Sequence, residues 1–329
     1  MTMYPRTGND GDHAGRISGR LHTLIGVGGH PDDFHALLIE ARNKLGADHT
    51  ISLDIEYRWE ELRDEDRSAL DSTFAWNELR DRADRTEPPE SRVAQRIRER
   101  CLRQTRRCGR PDDLDRTVDL CREEAKRWPD GPAAADLAWA LRDRAWFGGY
   151  ADLTDHDPQA DLDEALDLID AEVELRRSRF DQVSTMTAEL IRVEVLLARA
   201  TTDLAAAQEA LKSIVPLADA DVLPFDNLPP ARVLHAEALA ATGSHEDAAG
   251  LARRVYAMYG NVHVFDPARP MLTVAQCVSR WSPEEAVRAA QAAYGQRCQT
   301  FRPDSHYALE AQSLLTTLRA KPVPAPRTG

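Results

Sequence analysis

The chain has 329 residues, which is enough for two ordinary domains or one extended helical array. Aromatic residues make up only 6% of it, while Ala, Leu, Arg, Asp and Glu are abundant; this composition favours helices, because these side chains lose little freedom there. The net charge of -13 argues against non-specific binding to nucleic acids or to anionic membranes.

The cysteines and the N-terminal segment limit the location of the protein. Five cysteines in a chain of this length give no disulfide framework and include no CxxC pair, so reduced thiols without structural zinc are expected. Residues 1–15 are polar, and no window approaches 18 consecutive apolar residues. These observations predict a cytoplasmic protein with no export signal, membrane span, metal or cofactor.

A turn between two amphipathic segments recurs along the chain. Gly29-His30-Pro31-Asp32-Asp33 has a near copy at Gly109-Arg110-Pro111-Asp112-Asp113 and a looser one from Gly243 to Asp247. In each, a glycine suited to a left-handed helix end precedes an acidic residue by four positions, where a carboxylate favours the next helix start. The pattern predicts equivalent helix–helix turns at Gly29, Gly109 and Gly243, with the Pro-Asp-Asp segments as helix starts.

Residues 51–59 carry two conflicting patterns. Ile51, Leu53, Ile55, Tyr57 and Trp59 alternate with polar residues as in a strand, but the same residues also form helical rows. Their position between two turns favours the helix.

Amphipathic periodicity predicts about seven pairs of helices followed by a last one. The first helices of the pairs are expected near 14–27, 50–63, 90–108, 132–147, 184–200, 227–242 and 268–280. Their partners are expected near 31–45, 67–85, 111–127, 159–178, 203–217, 245–259 and 282–298, and the last helix near 304–320.

A junction between two of these pairs resembles a known repeat family. Leu45-Gly46-Ala47-Asp48-His49 followed by Ser52-Leu53 is similar to the junction of kinesin-light-chain-type tetratricopeptide repeats (TPRs), and comparable junctions lie mostly about 40 residues apart. The resemblance implies an all-α, right-handed α-solenoid of TPR-like helix pairs over residues 14–320, capped by the last helix. Residues 1–13 are expected to be disordered and the Pro-rich tail 321–329 to be flexible.

The first turn also resembles a catalytic motif. A His-Pro-Asp-Asp segment after an apolar strand supplies metal ligands in LmbE-like deacetylases, which makes a metal-dependent hydrolase at His30, Asp32 and Asp33 one alternative. That family has Glu where this chain has Phe34, and the copy of the turn replaces the histidine with Arg110. The chain also lacks the alternating strands of that fold, and a helix start explains the residues without metal.

A row of arginines is the strongest candidate for a binding surface. Arginines lie three or four residues apart on one face of the expected helix 90–108, at positions 92, 96, 100, 103 and 107. In the TPR family first helices line the concave groove. The resemblance therefore places Arg96, Arg103, Arg106 and Arg107 near a ligand, beside Trp139 and Trp146 of the next first helix.

Two interpretations of the arginine row remain open. It could bind an acidic protein or peptide segment with an apolar anchor. It could instead be a solvated face, or pair with the acidic block between Asp152 and Glu174, which contains no Lys or Arg. The leading function is a non-enzymatic protein- or peptide-binding scaffold, and a ligand-responsive regulator acting through a partner is the second.

Overall fold

The computed structural model describes residues 10–63, 69–88, 91–110, 113–127, 133–150, 156–179, 182–219, 228–259 and 265–320. Within these ranges the chain forms 15 α-helices and one short 3-10 helix, and it contains no strand. The expected all-α fold is therefore confirmed. None of the described helices is both long and apolar enough to cross a membrane.

Contacts divide the chain into two compact units, with the boundary between Cys108 and Gly109. Unit 1 contains α1 (Asp10–Val27), α2 (Pro31–Leu45), α3 (Thr50–Arg63), α4 (Ala69–Thr86) and α5 (Arg92–Cys108). Unit 2 begins with α6 (Asp113–Arg127), α7 (Ala133–Phe147), the 3-10 helix (Gly148–Tyr150), α8 (Pro158–Ser178), α9 (Gln182–Arg199) and α10 (Leu204–Asp219). It continues with α11 (Leu228–Ala241), α12 (His245–Met258), α13 (Arg269–Val278), α14 (Pro283–Thr300) and α15 (His306–Ala320).

Most of these helices begin and end within about two residues of the positions that the periodicity predicts, which is the usual spread of helix ends. Residues 51–59 lie in α3, so the helical interpretation of that segment is confirmed. The first helix begins at Asp10, earlier than the expected start at residue 14. Residues 1–9 and the tail 321–329 lie outside the described ranges.

The recurring turns have the backbone geometry that their glycines predict, with one correction. Gly28, not Gly29, takes the left-handed conformation at the end of α1 (φ 66°), and Gly109 and Gly243 do so at their turns (φ 65° and 93°). At the first turn, the N–H of Gly29 donates to the carbonyl of Leu24 and that of Gly28 to Ile25. This pair of bonds forms a Schellman motif, so the second glycine supplies a bond rather than the left-handed residue.

A capping box starts α2, as the Pro-Asp-Asp pattern predicts. The His30 side chain accepts a hydrogen bond from the backbone N–H of Asp32, and the His30 N–H donates to the Asp33 carboxylate at 3.3 Å. Pro31 at the first helical position has no N–H to satisfy. In the copy of this turn α6 starts at Asp113, and Pro111 and Asp112 lie outside the described residues.

Consecutive helices pack against each other within each unit. In unit 1, α3 also contacts α1 and α5. In unit 2, α9 contacts both α7 and α11, and α11 contacts α13. The odd-numbered helices α1, α3 and α5 of unit 1, and α7, α9, α11 and α13 of unit 2, therefore lie side by side, and we call each of these sets the odd-numbered layer of its unit. Buried apolar side chains fill the contacts between consecutive helices, as in the cluster of α9, α10 and α11 around Ile214 and Leu234.

Candidate functional site

The arginine row lies on α5 in unit 1, and two of its described members, Arg96 and Arg100, contact unit 1 residues. Arg96 forms an ion pair with Asp54 of α3 at 2.5 Å, and its guanidinium lies 5.0 Å from the centroid of the Tyr57 ring. Arg100 lies over the ring of Trp76, with 5.9 Å between the guanidinium carbon and the ring centroid. Arg96 thus joins two odd-numbered helices, and a ligand carboxylate would have to compete with Asp54 for it.

The other arginines assigned to the groove lie on the same helix. The backbone of α5 extends through positions 103, 106 and 107, but the side chains of Arg103, Arg106 and Arg107 lie outside the described residues. Trp139 and Trp146 belong to unit 2. Their combination with the arginine row in a single groove therefore stays a prediction.

The acidic block from Asp152 to Glu174 has arginine partners inside unit 2. Asp161 of α8 pairs with Arg144 of α7 at 2.6 Å, and Glu164 pairs with Arg122 of α6 at 2.6 Å. On the other side of α8, Asp163 pairs with Arg199 of α9 at 2.8 Å. These carboxylates join α8 to its neighbours, which explains their number without a ligand.

The two tryptophans lie on a face of α7 that also carries Arg142. Trp139, Arg142 and Trp146 are three and four residues apart, which places them on one side of the helix. Arg142 is buried and forms an ion pair with Glu194 of α9, while both tryptophans are half-buried. The Trp146 indole N–H donates a hydrogen bond to the Glu310 carboxylate of α15 at 3.0 Å. This face of α7 therefore points toward other odd-numbered helices.

Charged side chains continue from this face across unit 2. Arg269 of α13 binds Glu194 at 2.7 Å and makes a two-pronged contact with Glu237 of α11, with both N–O distances at 2.7 Å. Farther along, Arg297 of α14 binds Asp266 at 2.5 Å and Glu310 at 2.6 Å. We call this set the charged network; its members are Arg142, Glu194, Glu237, Asp266, Arg269, Arg297 and Glu310.

The electrostatic environment keeps two arginines of the charged network, Arg269 and Arg297, protonated. Burial opposes the charge of Arg269, but the carboxylates of Glu237 and Asp266 outweigh it and raise the pKa of Arg269. The pKa of Arg297 is raised in the same way, against the effect of burial, by Asp266 and Glu310. Buried ion pairs lose much of their attraction to the cost of desolvation. These pairs join α13 to α11 and α14 to α15.

Burial also raises the pKa of two tyrosines beside the network. Tyr259 is near Asp266 and Glu237, which reinforce the effect of burial, and near Arg269, which opposes it. Tyr150 is near Glu310, which reinforces the effect of burial, and Arg297, which opposes it. Both phenols therefore stay neutral over the physiological pH range and can serve only as neutral hydrogen-bonding groups.

Aromatic side chains join parts of unit 2 that are distant in sequence. Phe147 of α7 packs edge-on against Tyr307 of α15, with 5.0 Å between ring centroids, and Tyr307 stacks on Phe301 at 4.3 Å. The backbone N–H of His306 donates to the carbonyl of Gly109 at 2.8 Å. We call this contact the clasp; it consists of Gly109, Leu114, Trp146 and Phe147 on one side and Phe301, His306, Tyr307 and Glu310 on the other.

The geometry at His30 is that of a helix start. The His30 and Asp32 side chains are 69% and 92% exposed, and their ring nitrogen and carboxylate oxygen are 3.4 Å apart. Within the described part of the chain, no three His, Cys, Asp or Glu side chains are grouped so that they could hold a metal ion. The strand that precedes the motif in the deacetylases is replaced here by α1.

Sequence patterns gave little sign of the charged network or the clasp. The members of the network lie on six helices and one connecting segment. In the sequence, a single Glu or Arg that pairs with a distant helix looks the same as one that faces solvent. Trp139, Arg142 and Trp146 were the only signal, because a Trp-Arg-Trp face is unusual for a solvent-exposed surface. A scan against models of known protein families gives no match, and a search of curated proteins finds no similar sequence.

Proposed function

We propose that the chain is a non-enzymatic binding protein of TPR-like helix pairs, which holds a protein or peptide segment on its odd-numbered helices. One observation supports this proposal: neighbouring odd-numbered helices contact each other. In unit 1 the series is α1, α3 and α5, and in unit 2 it is α7, α9, α11 and α13. A layer of first helices is the surface on which proteins of the family that this chain resembles hold their ligands. The right-handed solenoid belongs to the same proposal.

The proposed ligand is an acidic or carboxylate-bearing segment with an apolar anchor. Guanidinium groups bind carboxylates through two parallel hydrogen bonds, and α5 carries a row of them. Arg96 already shares its charge with Asp54, so the proposal depends mainly on Arg103, Arg106 and Arg107. The sequence proposes Trp139 and Trp146 for the apolar contact; both lie in unit 2, and Trp146 also contacts Glu310 in the clasp.

Partner capture with charge reversal tests this proposal. A tagged full-length chain is used to isolate partners, and the segment identified in this way is titrated against purified variants. Arg103→Glu combined with Arg107→Glu is expected to abolish binding without changing the helical circular-dichroism spectrum. Binding to the unaltered chain should weaken with salt, because exposed charges are screened over about 10 Å at 0.1 M.

The matched control is the double change Arg254→Glu and Arg288→Glu, which reverses two exposed charges on α12 and α14. This control should leave binding intact, because both residues lie on even-numbered helices. Unchanged binding by the α5 variant would show that the arginine row is a solvated face. Equal losses in both variants would show attraction to overall charge rather than a site.

The clasp supports a ligand-responsive regulator as a second candidate. The clasp joins sequence-distant parts of unit 2, and such a contact can be open or closed. A ligand that binds one of these two states more tightly shifts the equilibrium toward it. Hydrogen exchange of α15 amides, with and without the captured segment, tests this candidate. Exchange that is the same in both conditions would leave the passive scaffold as the better description.

A further inference from the structure

The α6–α7 side of the clasp offers three distinct contacts to one turn of helix. The carbonyl of Gly109 accepts the hydrogen bond of the first N–H of α15, from His306, at 2.8 Å. The Tyr307 ring lies directly over Gly109, where an added Cβ would be only 2.8 Å from its Cδ2 atom. The indole N–H of Trp146 binds the Glu310 carboxylate at 3.0 Å.

Together these contacts select a particular kind of helix. A free N–H at a helix start is a strong donor that needs a partner, and the Gly109 carbonyl provides one. Tyr307 and Glu310 are three residues apart, so both side chains project from the same face of the first turn. The surface therefore fits a helix that starts with an aromatic residue and has a glutamate three positions later.

The two ends of α15 are held by different sets of contacts. Tyr307 belongs to the aromatic cluster of the clasp, whereas Leu315 and Leu318 pack in a separate apolar cluster with residues of α13 and α14. Arg297 of α14 donates to the Tyr307 carbonyl at 2.7 Å and to Glu310 at 2.6 Å. Because α14 holds α15 in these ways, α15 can keep its place on α14 when its first turn separates from α7.

We propose that the α6–α7 side of the clasp is a docking site for a partner helix with an aromatic residue and a glutamate three positions later, and that α15 occupies this site within the chain. The first turn of α15 then acts as an internal competitor. The proposal does not depend on the arginine row or on any ligand of the odd-numbered layer, so it goes beyond the function proposed above.

Internal competition has a measurable consequence. A helix from outside can bind only those molecules in which the site is vacant. Its apparent affinity is therefore the intrinsic affinity multiplied by the vacant fraction. Weakening the internal contact from the α15 side should therefore strengthen binding from outside. Glu310→Gln does this without altering Gly109, Leu114, Trp146 or Phe147, because it replaces the charge-assisted hydrogen bond from Trp146 with a neutral one. It also weakens the ion pair with Arg297, so the apolar contacts of Leu315 and Leu318 are what keep α15 on α14 in this variant.

The test uses a fluorescent peptide with the sequence of residues 301–320 and the full-length chain. Fluorescence anisotropy should show roughly tenfold tighter binding to the Glu310→Gln chain than to the unaltered chain, as expected from the loss of one hydrogen bond to a charged group. Adding Trp146→Phe to that variant removes the indole donor and should weaken peptide binding again by roughly tenfold.

Two matched controls accompany these titrations. Glu285→Gln removes a carboxylate of α14 that pairs with Arg253 outside the clasp, and it should leave peptide binding at the level of the unaltered chain. A peptide with Ala and Gln at the positions of Tyr307 and Glu310 should not bind any of the chains. Circular dichroism and thermal melting of each variant establish that it is folded.

Two results would overturn the proposal. The first is equal affinity of the peptide for the unaltered and Glu310→Gln chains, or no binding to a folded Glu310→Gln chain. The second is binding that persists when the peptide lacks its tyrosine and glutamate, which would show general apolar adhesion. Both results are independent of the function proposed above, which is tested by the charge reversal on α5.

Discussion

The turns at Gly28 and at Gly109 have similar sequences and similar backbone conformations, but their surroundings differ. Gly28 has a φ of 66° and Gly109 a φ of 65°. No atom lies within 4 Å of a Cβ added at Gly28, whereas the ring of Tyr307 would overlap one at Gly109. The first turn only connects two helices, while the second is also a contact surface for α15.

This difference shows that one short sequence can serve two roles within a chain. At both turns the glycine allows a conformation that costs other residues about 1–2 kcal/mol. At Gly109, but not at Gly28, the absence of a side chain also allows an aromatic ring of a sequence-distant helix to lie against the backbone. The third turn, at Gly243, is open like the first, since nothing lies within 4 Å of an added Cβ there either.

Alanine at the two glycines gives the largest expected contrast. Gly28→Ala should lower the free energy of unfolding by about 1–2 kcal/mol, from backbone strain alone. Gly109→Ala should lower it by about 2–5 kcal/mol, because displacement of the buried Tyr307 ring adds an overpacking cost of about 1–3 kcal/mol. Urea unfolding followed by circular dichroism measures both. Equal losses would mean that Tyr307 is not held against Gly109.

Removal of a capping carboxylate should have a smaller effect at the first turn. Asp33 accepts the His30 N–H, so Asp33→Ala is expected to lower the free energy of unfolding by about 0.5–1 kcal/mol. Asp32→Ala serves as the control, since the Asp32 side chain is highly exposed and only its backbone N–H, which alanine keeps, forms a hydrogen bond with His30. Stoichiometric zinc in the purified protein, lost on changing His30 and Asp32, would instead revive the hydrolase interpretation of this turn.

The smallest expected effect concerns pH at the third turn. Burial, together with the charge of Arg280, lowers the pKa of His245 below its usual value of 6.5. Above pH 6.5 the imidazole is neutral in both the folded and the unfolded chain, and its full contribution to the free energy of unfolding is present. As the pH falls from 6.5 through the lowered pKa, the unfolded chain takes up the proton more readily than the folded chain, and this contribution is lost. The urea midpoint should therefore fall less between pH 7.5 and pH 5 in His245→Gln than in the unaltered chain. Identical pH dependence would show that His245 titrates alike in both states.

Much of the helical structure follows from local patterns. The Schellman motif at Gly28 and the capping box at His30 and Asp33 involve residues within one turn of the helix end, so the sequence alone is enough to predict them. The α3 segment needed one further fact, its position between two turns, because its residues fit both a strand and a helix. The assignment of Gly29 as the left-handed residue was wrong by one position, since either glycine of the pair satisfies the local rule.

The candidate site was only partly visible in the sequence. The spacing of Trp139 and Trp146 correctly indicated a shared face of α7, but it could not show that Glu310 binds the indole of Trp146. The arginine row was visible as a face of α5, yet Asp54, on a different helix, is the partner of Arg96. Helical periodicity identifies which residues share a face; it contains no information about the element that this face contacts.

The sequence by itself thus determined the helical class, nearly every helix boundary and the chemistry of the turns, because these depend on interactions between residues a few positions apart. Tertiary structure decided which helices form the odd-numbered layer, which carboxylates bind which arginines, and that α15 returns to α7. The Trp146–Glu310 hydrogen bond joins residues separated by 164 positions. Contacts of this kind depend on how all the intervening helices pack, and no local pattern encodes that packing.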